Sequence, residues 1–324
     1  MKKVFVTGAN GLLGTNLINL LLENGYYVKG LLRDVSKFKG LNHPNLKLIT
    51  GDLFDDFSKI LSDVEYVVHI AAATSQNLLR YEEYSKVNVE ATIHLFHAAS
   101  VSKVKRFVFV SSVNTLGYGP ADSPGTECNP PQEPFTSSLY ANSKIEAEDY
   151  LLTQKHGPEV IVINPTFILG EYITKAGSGR IIYMGWKKKV IIYPPGGKNF
   201  VHSKDVAQGI INSFSAGING EKYILANENL SYEDFFSKLN EIAGQNPMML
   251  KIPWWILIFM GYIGEFLRKC GIKTSISLVN MKILCTRNYY SNKKSVKELG
   301  VRYRSTDWII SDSLNYISAN SKRN

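Results

Sequence analysis

Two patterns alternate along the first half of the chain. Short runs rich in β-branched and aromatic residues, Lys3–Thr7, Tyr27–Leu32, Leu46–Thr50, Tyr66–Ile70, Phe107–Ser111 and Val160–Asn164, predict strands covered on both faces. Between them, apolar residues recur at helical spacing near Leu12–Glu23, Tyr84–Ala99 and Leu139–Thr153. Strands of this kind joined through helices imply right-handed crossovers and a parallel sheet, a doubly wound α/β fold. After Asn164-Pro165 the pattern loosens into glycine- and proline-rich stretches (Gly177–Gly179, Pro194–Gly197), and from Ser231 it becomes mainly helical. The predicted division is a sheet domain over residues 1–165 with a return at about 197–226, and a smaller, mainly helical lobe over 166–196 and 227–317. Residues 318–324 are expected to form a frayed tail.

Composition narrows the class. A chain of 324 residues with 44% hydrophobic and 20% charged residues is globular, not disordered or collagen-like. Its three cysteines, Cys128, Cys270 and Cys285, are scattered, so neither a disulfide framework nor a metal site is expected, and a reducing, cytoplasmic setting is the default. Met1-Lys2-Lys3 followed by Val4-Phe5-Val6 is too short for a signal peptide. The net charge of +9 favours anionic partners, yet its densest runs, Lys187-Lys188-Lys189 and Lys293-Lys294, are short and no nucleic-acid-binding signature accompanies them. Nucleic acid is therefore not an expected partner.

The strongest chemical signal lies between the first strand and first helix. Gly8, Gly11 and Gly14 are spaced by three, flanking Asn10, Leu12 and Leu13, and such glycines let a pyrophosphate approach the backbone at a helix N-terminus. At the end of the second strand, an arginine favours the 2′-phosphate of NADP and an acid favours the ribose of NAD. Here Arg33 comes first, with Asp34 expected to cap the following turn, so NADP(H) is the preferred cofactor and NAD(H) the alternative. Tyr140 and Lys144 stand four apart, on one helical face. With 18 tyrosines and 28 lysines in the chain, spacing alone does not select them, and Tyr183/Lys187, Tyr289/Lys293 and Tyr290/Lys294 share it. Context does, because only Tyr140 follows a strand ending in Val110-Ser111-Ser112, which can supply a hydroxyl at the sheet's carboxyl edge.

These segments, together with Gly51-Asp52-Leu53, His69 to Ala73, Val87-Asn88-Val89 and Asn164-Pro165-Thr166, occur in the order found in the extended short-chain dehydrogenase/reductases, which the chain resembles over nearly its whole length. Within that family it looks most like the branch that holds dihydroflavonol-4-reductase-like proteins and hopanoid-associated sugar epimerases. The resemblance implies a Rossmann fold in which Asp52 and Leu53 contact adenine, Ala71, Ala72 and Ala73 line the adenosine path, and Pro165 and Thr166 approach the nicotinamide. It also implies that Tyr140 donates or accepts the proton, Lys144 binds the nicotinamide ribose and lowers the tyrosine pKa, and Ser112 holds the substrate carbonyl, with Ser111 beside the cofactor. Asn88 supports a proton relay or makes a structural hydrogen bond. A homodimer through the helices near Tyr84–Ala99 and Leu139–Thr153 is a family expectation.

The expected activity is NADP(H)-dependent reduction of a ketone or aldehyde on a fairly apolar or aromatic small molecule, with oxidation of a secondary alcohol in reverse. A sugar epimerase or dehydratase that retains its nicotinamide, and a hydroxysteroid dehydrogenase, are the alternatives. Loops 74–80, 114–120 and 167–180 are expected to frame the pocket. The apolar run Trp254–Ile263 falls short of the roughly twenty residues a membrane span needs. It is expected to cover an apolar pocket, an apolar surface touching a membrane being the other reading.

Overall fold

Alternation within the strands sorts the core into two layers. In the computed structural model, which describes residues 1–321, Val4, Val6, Val108, Ile161 and Ile163 face one layer of helices, while Phe5, Phe107, Phe109, Val160 and Val162 face the other. The first half runs β1 (Lys3–Thr7), α1 (Leu12–Glu23), β2 (Tyr27–Leu32), β3 (Leu46–Thr50), α2 (Ser58–Leu61), β4 (Tyr66–His69), α3 (Tyr81–Ser85), α4 (Ala91–Val101), β5 (Arg106–Val110), α5 (Leu139–Leu152) and β6 (Glu159–Pro165). The predicted strands all form, with ends displaced by a residue or so. The helix expected near Tyr84–Ala99 is interrupted by a π-turn over Lys86–Glu90.

The second half continues with β7 (Phe167–Leu169), α6 (Arg180–Gly185), β8 (Val190–Tyr193), β9 (Gly197–His202), α7 (Ser203–Ala216), β10 (Lys222–Leu225), β11 (Glu228–Ser231), α8 (Tyr232–Ile242), β12 (Met248–Lys251), α9 (Trp254–Lys269), α10 (Leu278–Cys285), β13 (Arg287–Asn288), α11 (Lys293–Leu299) and α12 (Thr306–Ser321). Seven parallel strands form the main sheet in the order β10-β6-β5-β4-β1-β2-β3. The direction of winding reverses between β1 and β4, which opens a crevice at the strand C-termini beside the glycine-rich turn.

Of the expected return to the main sheet, α7 packs on α1 and β10 becomes the edge strand. β9 instead pairs with β7, β11 and β13 in a second sheet, and β8 pairs with β12 in a third. Around the second sheet Phe200, Phe235, Phe236 and Ile310 form a separate core. Of the expected tail, residues 318–321 belong to α12 and 322–324 lie outside the described residues.

Candidate active site

The three glycines do different work. Gly8 has φ +69°, and a Cβ there would lie 2.9 Å from Ala71 N; one on Gly14 would lie 2.1 Å from Gly8 O, so both are required by the chain's own packing. Gly11 is exposed, and a Cβ on it would meet only Gly8 O, at 3.3 Å. Chain packing constrains it less than the other two, and what Gly11 leaves open is space in front of α1. Gly11 is also the N-cap, without a side-chain cap, and no acid stands in the helix's first turn. Its N-terminal N–H groups therefore face a cradle suited to a dinucleotide pyrophosphate. Around it, Asn10 is exposed, Leu13 is core, and Leu12 packs toward the second core.

The remaining predicted cofactor residues lie at the carboxyl ends of the same sheet. Arg33 follows β2, is exposed, and has no hydrogen-bond or ion partner among the described residues. Asp34 turns to the next turn, accepting from Ser36 N at 3.1 Å and Ser36 Oγ at 2.6 Å, which leaves the arginine as the charge offered to a ligand. Asp52 and Leu53 follow β3; the Asp52 carboxylate accepts from Phe54 N, and Leu53 packs under the sheet. Ala71, Ala72 and Ala73 follow β4, with Ala71 N donating to Thr7 Oγ1 and Ala73 N to Asn88 Oδ1. The Asn88 amide also donates to Ala73 O and Ser143 Oγ, so it clamps this loop to α5. That is the structural role weighed for it in the sequence. Thr166 turns its hydroxyl away from the crevice toward Asn199 Oδ1 at 2.7 Å, beside Pro165 at the end of β6.

Tyr140 and Lys144 share α5, whereas Lys187 lies beyond α6, and Tyr289 and Tyr290 lie before α11. Helical spacing therefore joins only one of the four pairs. Ser112 follows β5, and its hydroxyl accepts from Asn114 N at 3.2 Å and lies close to the Tyr140 phenol. Burial pushes that phenol up to about 12, with Ser112 opposing the shift and Glu148 adding to it. Lys144 is 1% exposed, and its Nζ reaches back to β5, donating to Val110 O at 2.8 Å and lying 4.1 Å from the Phe109 ring centroid. Burial brings this ammonium down to about 7. Burial of the phenol dominates its shift, and the Lys144 ammonium is engaged with a strand carbonyl. Ser111 Oγ is buried without a hydrogen-bond partner at the same edge.

Behind these groups stands machinery that the sequence reading missed. The fully buried Glu148 accepts from Thr115 Oγ1 and Asn164 Nδ2, both at 2.8 Å, and pairs with Lys222 of β10. The same Asn164 amide donates to Ser112 O at 3.1 Å, which ties the ion pair to the serine's backbone. Glu148 lies four residues beyond Lys144, a signal that was available. A second chain is directional: Thr7 Oγ1 accepts from Ile70 N and Ala71 N, leaving its proton for His69 Nδ1, and His69 Nε2 then donates to Thr92, which donates to Asn88 O. Burial, helped by the Lys144 charge, holds His69 at about 3, so the ring is neutral as this chain requires.

Tyr140 opens onto a cavity of about 350 Å³. Loop 74–80 frames it as expected, through Gln76, Leu78 and Leu79, but the other walls come from Glu265, Arg268 and Lys269 at the end of α9 and from the start of α10. Loops 114–120 and 167–180 do not line it, and neither does the Trp254–Ile263 run; Tyr118, Trp254 and Ile258 instead line a separate cleft of about 290 Å³, while the aromatic residues of the run stay exposed. That expectation is corrected: Gly261 and Gly264 bring α9 against the chain at 276–278, which turns its bulky face outward. Arg268 donates to Leu78 O at 2.9 Å and Thr274 O at 3.0 Å, pinning the framing loop.

Comparison with known proteins agrees with this geometry. The model of the NAD dependent epimerase/dehydratase family matches residues 4–226. A Synechocystis protein provisionally named a dihydroflavonol 4-reductase is 28% identical over 96% of this chain and 93% of its own length. Sterol demethylase protein B of Methylococcus capsulatus is 31% identical over 76% of each chain. Among solved structures, gox2253 superposes with a TM-score of 0.81 at 29% identity, over 99% of both chains. The UDP-glucuronic acid 4-epimerase of Bacillus cereus, solved with NAD, shares the fold at 18% identity, with a TM-score of 0.79 over 98% of this chain and 99% of that one.

Proposed function

This chain belongs to the NAD dependent epimerase/dehydratase family, and from that membership we propose that it is an NADP(H)-dependent oxidoreductase reducing a ketone or aldehyde, or oxidising a secondary alcohol, of a fairly apolar small molecule. The observation that carries the reading is the placement of Tyr140 and the buried Lys144 on one helix, with Ser112 close to the phenol and Tyr140 lining a cavity, at the same sheet edge as the glycine cradle. When bound, the nicotinamide supplies or accepts the hydride. The chain's own groups do the rest. The α1 N-terminus holds the pyrophosphate, Arg33 the 2′-phosphate, and Lys144 the nicotinamide ribose. Ser112 and Tyr140 hold the carbonyl oxygen, and Tyr140 passes its proton to that oxygen as negative charge grows there. A phenol pushed to about 12 is fully protonated at neutral pH, which suits it to begin as the donor.

In this reading residues 1–165 and 197–226 bind the dinucleotide and the others bind the substrate. Three unbridged thiols, Cys128, Cys270 and Cys285, fit placement in the cytoplasm. Tyr140→Phe is expected to lower carbonyl-dependent NADPH oxidation by roughly 10³-fold with cofactor affinity preserved, while Tyr183→Phe leaves the rate unchanged. Arg33→Ala is expected to raise the Kd of NADPH 10- to 100-fold, about 1.5–3 kcal/mol, and spare NADH. Retained turnover in Tyr140→Phe, or substrate conversion without net NADPH consumption across a carbonyl panel, overturns the reductase reading.

A further inference from the structure

α9, which carries five aromatic residues among its sixteen, turns them outward. α9 buries only Leu257, Gly261 and Gly264. Its glycines account for the orientation, since a Cβ on Gly261 would lie 2.9 Å from Leu278 Cα and one on Gly264 2.0 Å from Ile276 O. The helix rests on this stripe, and its bulk faces away. Trp254, Trp255, Phe259, Tyr262 and Phe266 are each between 59% and 67% exposed. A helix on a water-facing surface shows the reverse arrangement, polar side out.

A second element, next to α9 along the chain, also exposes apolar side chains. In the β8–β12 pair, Val190 stands opposite Met248 and Ile192 opposite Leu250, and all four are exposed. β12 leads through Pro253 directly into α9. Lysines bracket the whole stretch. Lys187-Lys188-Lys189 run into β8, Lys251 ends β12, and Lys269 ends α9, all exposed. Among the described residues none of these five has a carboxylate partner. Aromatic and aliphatic side chains bordered by unpaired ammonium groups are complementary to an anionic lipid surface, where rings sit at headgroup depth and lysines meet phosphates. A two-fold contact with a second copy would bring like-charged lysine borders together.

We propose that α9 and the β8–β12 pair seat this protein on the surface of an anionic lipid bilayer, α9 lying in the interface plane over its length of roughly 24 Å. No helix among the described residues is long and apolar enough to cross a membrane, so the contact is peripheral. The proposal does not depend on the catalytic reading, because Tyr140 lies outside the docking surface.

The test is sedimentation of the full chain with vesicles of phosphatidylglycerol and phosphatidylcholine, with pure phosphatidylcholine vesicles, and without lipid. Binding to the anionic vesicles is expected, weaker at high salt and on neutral vesicles. Trp255→Glu/Phe259→Glu is expected to weaken it at least tenfold and Lys188→Glu/Lys189→Glu several-fold, with parental circular dichroism in both, while Tyr140→Phe binds like the parent. Absence of vesicle binding, or binding by both double variants equal to the parent's, overturns the proposal. So does a lipid-free dimer that Trp255→Glu/Phe259→Glu converts to monomer without any vesicle binding, which would assign the face to a second copy.

Discussion

Helices α5 and α9 are nearly equal in length, 14 and 16 residues, and stand in opposite relations to their composition. α5 is rich in polar residues and buries Ser143, Lys144 and Glu148; α9 is rich in aromatic ones and exposes them. The difference lies in what each helix meets. α5 packs where strand ends offer the Val110 carbonyl, the Thr115 hydroxyl, the Asn164 amide and the Lys222 ammonium, so every buried charge finds a partner. α9 meets backbone at 276–278, too close for anything larger than glycine, and its large side chains are left to the outside. A helix's content does not decide its buried face; the partners within reach do.

The sharpest way to break the α5 side of this contrast is Glu148→Ala. It removes a buried acceptor from Asn164 and from Thr115, each of which keeps Ser112 O, and leaves Lys222 without its partner, and about 3 kcal/mol of stability should be lost, read by urea unfolding. Lys144 gives a smaller effect with a defined sign. Its native pKa of about 7 lies below the ordinary 10.5, so between those values the unfolded chain binds more protons and stability rises with pH. Relative to Lys144→Met, the parent should gain about 2 kcal/mol between pH 7 and pH 9 in urea titrations. The smallest effect belongs to α9. Phe259→Ser removes an apolar side chain that contributes little to the core, and stability should change by less than about 0.5 kcal/mol. A loss of several kcal/mol would mean that the aromatic face is packed after all.

What was legible in the sequence follows from the same physics. β1 to β6 lie in a sheet covered by helices, so their apolar runs stand out against turns, and Gly11 and Gly14 answer to Gly8 O within a few residues, while Gly8 is held by Ala71 far along the chain. Tyr140 could be chosen from four pairs because the strand before it and the helix around it are local features. The partners that orient the site were not readable in this way. Glu148 meets Lys222 across 74 residues, and Arg268 holds loop 74–80 across 190, distances over which periodicity carries no information. α9 misled for a related reason: an apolar run reads as buried, and the two glycines that turn it outward matter only once the chain at 276–278 is beside them.

The edge strand β10 gives the site a history. It is the seventh strand of the main sheet, yet 56 residues separate it from its neighbour β6, and it delivers Lys222 to Glu148, the Ile224 amide to Glu127 and the Leu225 carbonyl to Thr166. During synthesis the tyrosine, lysine and serine therefore leave the ribosome well before the strand that neutralises the carboxylate behind them. Until Leu225 has emerged, the main sheet can gather at most six strands, with its β6 edge open beside the acid that Lys222 later meets. Completion of the candidate site therefore waits on the last strand of the sheet, and a chain truncated ahead of residue 222 keeps Ser112, Tyr140 and Lys144 without the strand that backs them.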